Sequence, residues 1–164
     1  MTMQSKDRLQ IGTRQLRCMS QALDLYLALI EPPDAERWPP FRRRKTTLMR
    51  NYLGTWELLD QQLYLVAIDA EYLDGTAVTL DSLFPGYPER VFAHWFSGPL
   101  YCFEGDIIGL RNKYEHMYEK EFILTLCQGK VTATETINTA ELVRQGEPSA
   151  THKNGVGGLL NGRG

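Results

Sequence analysis

The block from Asn51 to Asp69, NYLGTWELLDQQLYLVAID, constrains the possible folds of this chain more than any other stretch. Apolar residues occupy both alternating faces of its two halves, and Asp60-Gln61-Gln62 is the only polar interruption between them. Short runs that are apolar on both faces indicate buried strands, and so short a gap indicates a tight connection. We therefore predict an antiparallel hairpin with Trp56 in the core. Its turn type stays open, because the gap lacks the Asn-Gly or Asp-Gly pair of the favoured two-residue turns.

Length and charge limit the class of protein. At 164 residues and 18.8 kDa the chain suits one domain with a core that needs no metal or disulfide. A formal net charge of -2 gives no general attraction to nucleic acid or to an anionic membrane. Cys18, Cys102 and Cys127 are odd in number and widely spaced, which fits small core residues in a reducing compartment. No secretion signal or membrane-spanning stretch is evident, so we predict a cytoplasmic protein with no membrane partner.

The first fifty residues predict one helix and one irregular segment. Apolar residues recur at spacings of three and four from Leu16 to Ile30, which predicts a helix over 15–30 that ends before two prolines. A short strand over 25–29 stays open as an alternative, as does an edge strand near 9–11. Residues 31–41 hold four of the eight prolines and therefore predict a Pro-rich loop.

The rest of the chain predicts further strands separated by turns. Asp74-Gly75 and Pro85-Gly86 are turn signals, the second typical of a type II turn. Glu104-Gly105 predicts a hairpin turn, followed by a polar connector over 111–119, and Gln128-Gly129-Lys130 predicts the turn of the last hairpin. The predicted strands are 77–80, 90–97, 100–103, 106–110, 120–127 and 130–137, with Thr132, Thr134 and Thr136 on the exposed side of the last.

Together these segments predict a mainly β (α+β) fold with one N-terminal helix. About seven or eight strands should form an antiparallel curved sheet, a sandwich or a partly open barrel. We expect a single β-rich domain over 1–144 whose β core spans 52–137. The Gly-rich tail over 145–164 should be disordered, because it buries too little apolar area to offset the entropy of ordering it.

The sequence offers only weak candidates for catalysis. No Ser-His-Asp order, nucleophile elbow, phosphate-binding glycine loop or CxxC pair occurs. His116 and Glu119 would share one face of a helix, but no third ligand has a matching spacing, so we predict no metal and no cofactor. A small enzyme or ligand-binding domain would require His94, Glu104, His116 and Glu119 to converge in one concavity. We therefore lean towards a protein that is not an enzyme.

Candidate binding residues are cationic or aromatic. The run Arg42, Arg43, Arg44 and Lys45 is the densest cationic stretch, and it reads either as a solvated loop or as a contact for an anion or a nucleic acid. Nucleic acid is the weaker reading, since few aromatic residues lie near the run. Four aromatic residues in predicted loops have the character of interface residues, namely Trp38, Tyr87, Tyr114 and Tyr118.

Four blocks resemble a group of small, largely uncharacterised bacterial proteins. They are GTWELLDQQLYLV at 54–66, LDSLFPG at 80–86, VFAHWFSGPL at 91–100 and YEHMYEKEFIL at 114–124. The resemblance implies a bacterial source and a compact cytosolic β-rich domain, and it transfers no activity. The chain departs from the group's pattern over 109–117, where the related chains are richer in glycine. The GTW triplet also resembles the first strand of the lipocalins, which are ligand carriers, and this stays a minor alternative.

These observations lead to one main hypothesis. We expect a non-enzymatic bacterial binding protein that acts in a protein-protein interaction, as an immunity or accessory protein. The alternatives are a small enzyme or ligand binder using the four residues above, and anion or nucleic-acid contact through 42–45. The sequence does not identify the protein partner, and it leaves homo-oligomerisation open.

Overall fold

The computed structural model describes residues 4–30, 41–113, 115–137 and 139, and these ranges contain eight strands and two helices. The strands are β1 (Asp7–Ile11), β2 (Arg14–Met19), β3 (Leu53–Leu59), β4 (Gln62–Asp69), β5 (Val91–Phe92), β6 (Gly98–Asn112), β7 (Glu115–Cys127) and β8 (Lys130–Ile137), and the helices are α1 (Ala22–Ile30) and α2 (Leu80–Leu83). The mainly β fold with an N-terminal helix is confirmed. The predicted tail, Trp38 and all of the Pro-rich loop except Phe41 lie outside the described residues.

All eight strands belong to one sheet that closes on itself. Its order is β3-β1-β2-β6-β7-β8-β4-β5, and β3 also pairs with β4, so seven strands form a ring and β5 is attached beside β4. Every pair is antiparallel except β1 with β3, which run parallel. Closure is uneven, because β4 meets β8 only at Gln62 and Lys130 whereas β6 and β7 pair over almost their whole length.

The β3–β4 hairpin confirms the prediction for 51–69. Leu59 pairs with Gln62, so the connection has two residues, and both Asp60 (φ 52°) and Gln61 (φ 64°) are left-handed. Two left-handed central residues define a type I′ turn, whose twist matches that of the strands. Trp56 is fully buried, as expected.

The prediction of a helix over 15–30 is wrong for its first half. Residues 14–19 form β2, and α1 begins only at Ala22. Gly12 (φ 62°) turns the chain so that β2 pairs with β1, and Leu16 and Cys18 are buried while their neighbours are exposed. The spacing of Leu16 and Met19 suits a helix, but the two-residue alternation of a strand fits this burial better. The alternative strand over 25–29 is also wrong, because these residues lie in α1.

The predicted strand over 90–97 is shorter than expected. Only Val91 and Phe92 pair with β4, and the chain then turns tightly, with the Phe96 N–H donating to the Ala93 carbonyl at 3.1 Å. The turn places Trp95 against α1, where its Nε1 donates to the Ala22 carbonyl at 2.7 Å. After Phe92 the chain therefore leaves the strand ladder that its apolar sequence suggested, and Trp95 packs on the helix instead.

The segment 77–80 is not a strand either. Ala77 makes one isolated bridge, and Thr79 then caps α2 through reciprocal hydrogen bonds with Ser82. The turn signals nearby are confirmed, since Gly75 and Gly86 are both left-handed at φ 93°. The Tyr87 N–H donates to the Phe84 carbonyl across the second turn at 3.0 Å.

The predicted hairpin at Glu104-Gly105 is wrong. One continuous strand, β6, runs through these residues, and the predicted connector over 111–119 is mostly the start of β7. Glu104 pairs with Lys120 and Ile107 with Tyr118, so two residues on β6 oppose one on β7. This is a β-bulge, which bends a strand and increases its twist. The last hairpin is confirmed, with Gln128 and Gly129 as its two-residue turn.

A buried carboxylate joins β1 to β3. Asp7 is 1% exposed, and its Oδ1 accepts hydrogen bonds from Arg50 Nη2 at 2.8 Å and from the Gly54 N–H at 3.0 Å. Its Oδ2 accepts from Trp56 Nε1 at 3.0 Å. Both oxygens are therefore satisfied, which a buried charge requires.

The same network reaches α1. Arg50 Nη1 donates to the Tyr52 hydroxyl at 3.1 Å, and that hydroxyl donates to Asp24 at 2.7 Å. The Arg50 guanidinium also lies 4.4 Å from the centroid of the Tyr52 ring. Burial raises the pKa of Tyr52 far above its ordinary value, so the hydroxyl keeps its proton. One chain of hydrogen bonds thus connects β1, β3 and the helix.

The variant Asp7→Asn should lower the free energy of unfolding by about 3–5 kcal/mol, because it removes the buried carboxylate that accepts hydrogen bonds from Arg50, Gly54 and Trp56. Urea unfolding followed by tryptophan fluorescence measures this loss. The exposed acid variant Glu89→Gln is the control and should change stability by less than about 0.5 kcal/mol. Equal stability of the two variants would show that the Asp7 network contributes nothing.

The expectation that all three cysteines are core residues is wrong for one of them. Cys18 and Cys102 are buried, whereas Cys127 is exposed. Burial raises the pKa of Cys102 to about 12 and that of Cys18 well above its ordinary value. Thiolates react with disulfide reagents and thiols do not, so the buried pair should be inert.

A thiol titration checks this assignment. At mildly alkaline pH, one of the three thiols should react rapidly in the native protein, and all three should react in denaturant. The variant Cys127→Ser should abolish the rapid phase. A second fast thiol in the native protein would contradict the burial of Cys18 and Cys102.

Candidate functional site

The sequence-predicted acid Glu104 is held in an ion pair. Its carboxylate accepts two hydrogen bonds from Arg14, at 2.9 Å from Nε and 2.7 Å from Nη2, and Lys120 Nζ lies 4.0 Å away. The hydrogen bond from Arg14 is the main reason that the pKa of Glu104 is lowered. Glu104 therefore stays ionised at neutral pH and is poorly suited to donate a proton.

Glu119 supports the bulge. Its Oε1 accepts a hydrogen bond from the Asp106 N–H at 3.1 Å, which satisfies a backbone donor on the bent part of β6. Gly105 is left-handed at φ 90°, and a Cβ there would overlap the Glu119 carboxylate. The two residues fit together because Gly105 has no side chain.

The two histidines lie apart. His94 is exposed in the turn after β5, with its ring 5.6 Å from that of Trp95, whereas His116 in β7 contacts Tyr118 edge-on at 6.4 Å. In the described part of the chain, no hydrogen bond, ion pair or ring contact joins any two of His94, Glu104, His116 and Glu119. Within the same ranges, no group of three or more His, Cys, Asp or Glu side chains is placed to hold a metal.

Half of the cationic run is engaged within the protein. Arg42 Nη1 lies 3.3 Å from Glu71, and Arg44 Nη1 lies 3.1 Å from Asp69. Arg43 and Lys45 are exposed, and neither makes an ion pair with a described carboxylate. The run therefore offers two cations to solvent, not four. Among the aromatic candidates, Tyr87 is 57% exposed, Tyr118 is partly buried, and Trp38 and Tyr114 lie outside the described residues.

An apolar groove of about 410 Å³ lies between the end of β2, α1 and the start of β6. Met19, Leu25 and Tyr101 line it and are each between 42% and 46% exposed. None of its lining residues within the described ranges is charged; they are Met19, Ser20, Gln21, Leu25, Phe96, Ser97, Gly98, Pro99 and Tyr101. We call this set the apolar groove.

Helix α1 continues the apolar surface beyond the groove. Its sequence, ALDLYLALI, carries one charge and is apolar on all sides. Leu23 and Leu27 are buried against the sheet, whereas Leu25 and Leu29 share the outer face at 43% and 74% exposure. Helices that are apolar all round are normally covered on all sides. The outer face of α1 is therefore a surface that another molecule could cover.

A second concavity forms where the bulge bends the β6–β7 hairpin away from β2. It consists of two adjoining pockets of about 440 Å³ and 260 Å³ that share Arg17, Ile107 and Tyr118. We call it the bulge cleft. His116 also lines it, so the structure places two of the predicted candidates, His116 and Tyr118, in one cavity.

The sequence predictions missed three cations of the bulge cleft, Lys6, Arg8 and Arg17. The sequence suggested only an edge strand near 9–11, as an open alternative, and a helix over 15–30, so neither segment indicated a site. A signal was present in the alternation of Arg8 with Leu9 and of Arg17 with Leu16. Period two places both arginines on the solvent side of a hairpin.

No helix within the described ranges is long and apolar enough to span a bilayer. Comparisons with protein-family models, curated proteins and solved structures find no match to this chain. The resemblances to small bacterial proteins and to lipocalins therefore stay predictions.

Two glycine variants test the account of the bulge. Gly105→Ala and Gly86→Ala introduce a Cβ at nearly the same left-handed φ, 90° and 93°, but only Gly105 has an atom within 4 Å of the new Cβ. Overlap with Glu119 should make Gly105→Ala about 1–3 kcal/mol more destabilising than Gly86→Ala. Chemical denaturation of both variants measures the difference.

The double variant Gly105→Ala/Glu119→Ala isolates the overlap. Removing the Glu119 carboxylate should make the alanine at 105 less destabilising than it is in the wild-type background. The same penalty in both backgrounds would mean that contact with Glu119 does not explain the glycine.

Proposed function

We propose that this protein is a non-enzymatic binding protein that holds another protein through the apolar groove and the outer face of α1. The observation that carries the proposal is the pair Leu25 and Leu29, which is exposed on a helix that bears a single charge. Exposed apolar patches next to a groove are typical of interaction sites.

Burial of this surface offers a substantial driving force. Fully burying one leucine, methionine or similar side chain contributes about 1.5–3 kcal/mol. Met19, Leu25, Leu29 and Tyr101 are each between 42% and 74% exposed. A partner that covers these four side chains together would therefore gain several kcal/mol.

The lining indicates the chemistry of the partner. No described residue of the apolar groove is charged, and its neutral polar side-chain groups belong to Ser20, Gln21, Ser97 and Tyr101. An apolar centre with a neutral polar edge matches the usual anatomy of a protein interface. We therefore propose that the partner inserts an apolar, uncharged segment.

The alternatives receive less support. His94, Glu104, His116 and Glu119 do not meet in one cavity among the described residues, and Glu104 is occupied by Arg14. Anion binding through 42–45 is less favoured, because two of the four cations, Arg42 and Arg44, form ion pairs within the protein. A bacterial source and an immunity or accessory role stay predictions.

The double variant Leu25→Asp/Leu29→Asp tests the proposal. It should lose capture of a partner from a lysate of the organism that encodes the chain, because two carboxylates cannot be buried in an apolar contact. The control Leu73→Asp/Met49→Asp adds the same charge at side chains that are 45% and 56% exposed elsewhere, and it should retain capture.

Sedimentation of the purified proteins separates a different partner from a second copy. A dimer that dissociates only in the Leu25→Asp/Leu29→Asp variant would assign the surface to self-association. Absence of any partner for the wild type, or equal loss in both double variants, would refute the proposal. Urea unfolding confirms that both variants are folded.

A further inference from the structure

Two arginines face each other across neighbouring strands in the bulge cleft. Arg8 and Arg17 are direct cross-strand partners in the β1–β2 pair, and both are exposed. Neither makes a hydrogen bond or ion pair through its side chain to a described residue. Like charges in directly opposed positions repel each other across a sheet. By contrast, the neighbouring Arg14 has a carboxylate partner.

A buried lysine adds a third cation. Lys6 is only 9% exposed, yet no carboxylate in the described ranges lies within ion-pair distance of its ammonium. Its Nζ instead lies 5.1 Å from the centroid of the Phe103 ring and 5.5 Å from that of Tyr118. Desolvation by burial is the main reason that its pKa is lowered. Buried charges are normally paired, so this position favours an anion from outside the described residues.

The buried acid Glu121 already has partners within the protein. Glu121 is 1% exposed, and its carboxylate accepts from Arg111 Nη2 at 2.8 Å and from the Tyr118 N–H at 3.1 Å. Burial lowers the pKa of Lys6 more than the nearby charges of Glu115 and Glu121 raise it. Both of these acids form ion pairs with Arg111 and not with Lys6.

The three cations line the two adjoining pockets of the bulge cleft. Arg8 lines the larger pocket, Lys6 lines the smaller one, and Arg17 lines both. Among the described residues of the lining, Asp106 is the only carboxylate, so the charged groups are three cations against one anion. Together the pockets have the size of a small-molecule site.

We propose that the bulge cleft binds a small phosphate ester, with Arg8, Arg17 and Lys6 around the phosphate. A phosphate dianion offers several acceptor oxygens, which suit two guanidinium forks and an ammonium better than a single carboxylate does. Phe103, His116 and Tyr118 provide ring edges and faces beside the cations, so the ester should carry a planar ring, as a nucleoside monophosphate does. This site is separate from the apolar groove and does not depend on the function proposed above.

Titration calorimetry of the full chain with adenosine monophosphate, inorganic phosphate and succinate tests the proposal at low ionic strength. Adenosine monophosphate should bind most tightly and succinate most weakly. In Arg8→Gln/Arg17→Gln the affinity for adenosine monophosphate should fall by roughly tenfold or more for each arginine, the usual effect of losing a charge-assisted hydrogen bond. The control Arg43→Gln/Lys45→Gln also removes two positive charges, but from exposed sites outside the cleft, and it should bind adenosine monophosphate as the wild type does.

The stability of the variants and the site of binding complete the test. Arg8→Gln/Arg17→Gln should be no less stable than the wild type, since it removes a repulsion. In methyl NMR spectra, adenosine monophosphate should shift the Ile107 signal, because Ile107 lines both pockets, and should leave Ile68 unchanged. No binding by the wild type, equal losses in both double variants, or tighter binding of succinate would each overturn the assignment.

Discussion

The buried Asp7 carboxylate holds the first strand of the ring in place, and the remaining architecture depends on that strand. β1 lies between β3 and β2, and its pairing with β3 is the only parallel pairing among the described strands. Asp7 receives hydrogen bonds from Gly54 and Trp56 on β3 and from Arg50 just before it. Tyr52 extends the network to the helix. Because a buried charge is stable only when its oxygens are satisfied, these donors determine where β1 can lie.

The apolar groove and the bulge cleft both lie where the pairing between β2 and β6 stops. The apolar groove lies where β2 ends at Met19 and the chain leaves for α1, so the start of β6 has no β2 partner. The bulge cleft lies at the opposite end of the same pair, where Gly105 and Asp106 bend β6 away from β2. The interior itself is filled by apolar side chains. Function in this fold is therefore expected at the two ends of the β2–β6 contact.

Sequence reasoning succeeded for hairpins and failed for longer-range pairings. The 51–69 and 120–137 hairpins were recognisable because alternation and a two-residue turn lie within one short window. Residues 15–19 were predicted as helix from the spacing of their apolar residues, but they form part of β2, which pairs with β1. Glu104-Gly105 suits a turn or a bulge equally, and only the long partner β7 made it a bulge. Of the predicted site residues, His116 and Tyr118 were brought together, whereas His94 and Glu104 were not.

The sequence by itself determined a β-rich chain with a double-sided core hairpin, since turn chemistry and apolar periodicity act between near neighbours. The tertiary structure alone decided which charged side chains lie close together. Lys6, Arg8 and Arg17 approach Tyr118 only because β2 pairs with both β1 and β6. It also decided that one face of α1 is covered by the sheet and the other is not. Strand order joins residues that lie far apart in the chain, and no local pattern encodes that order.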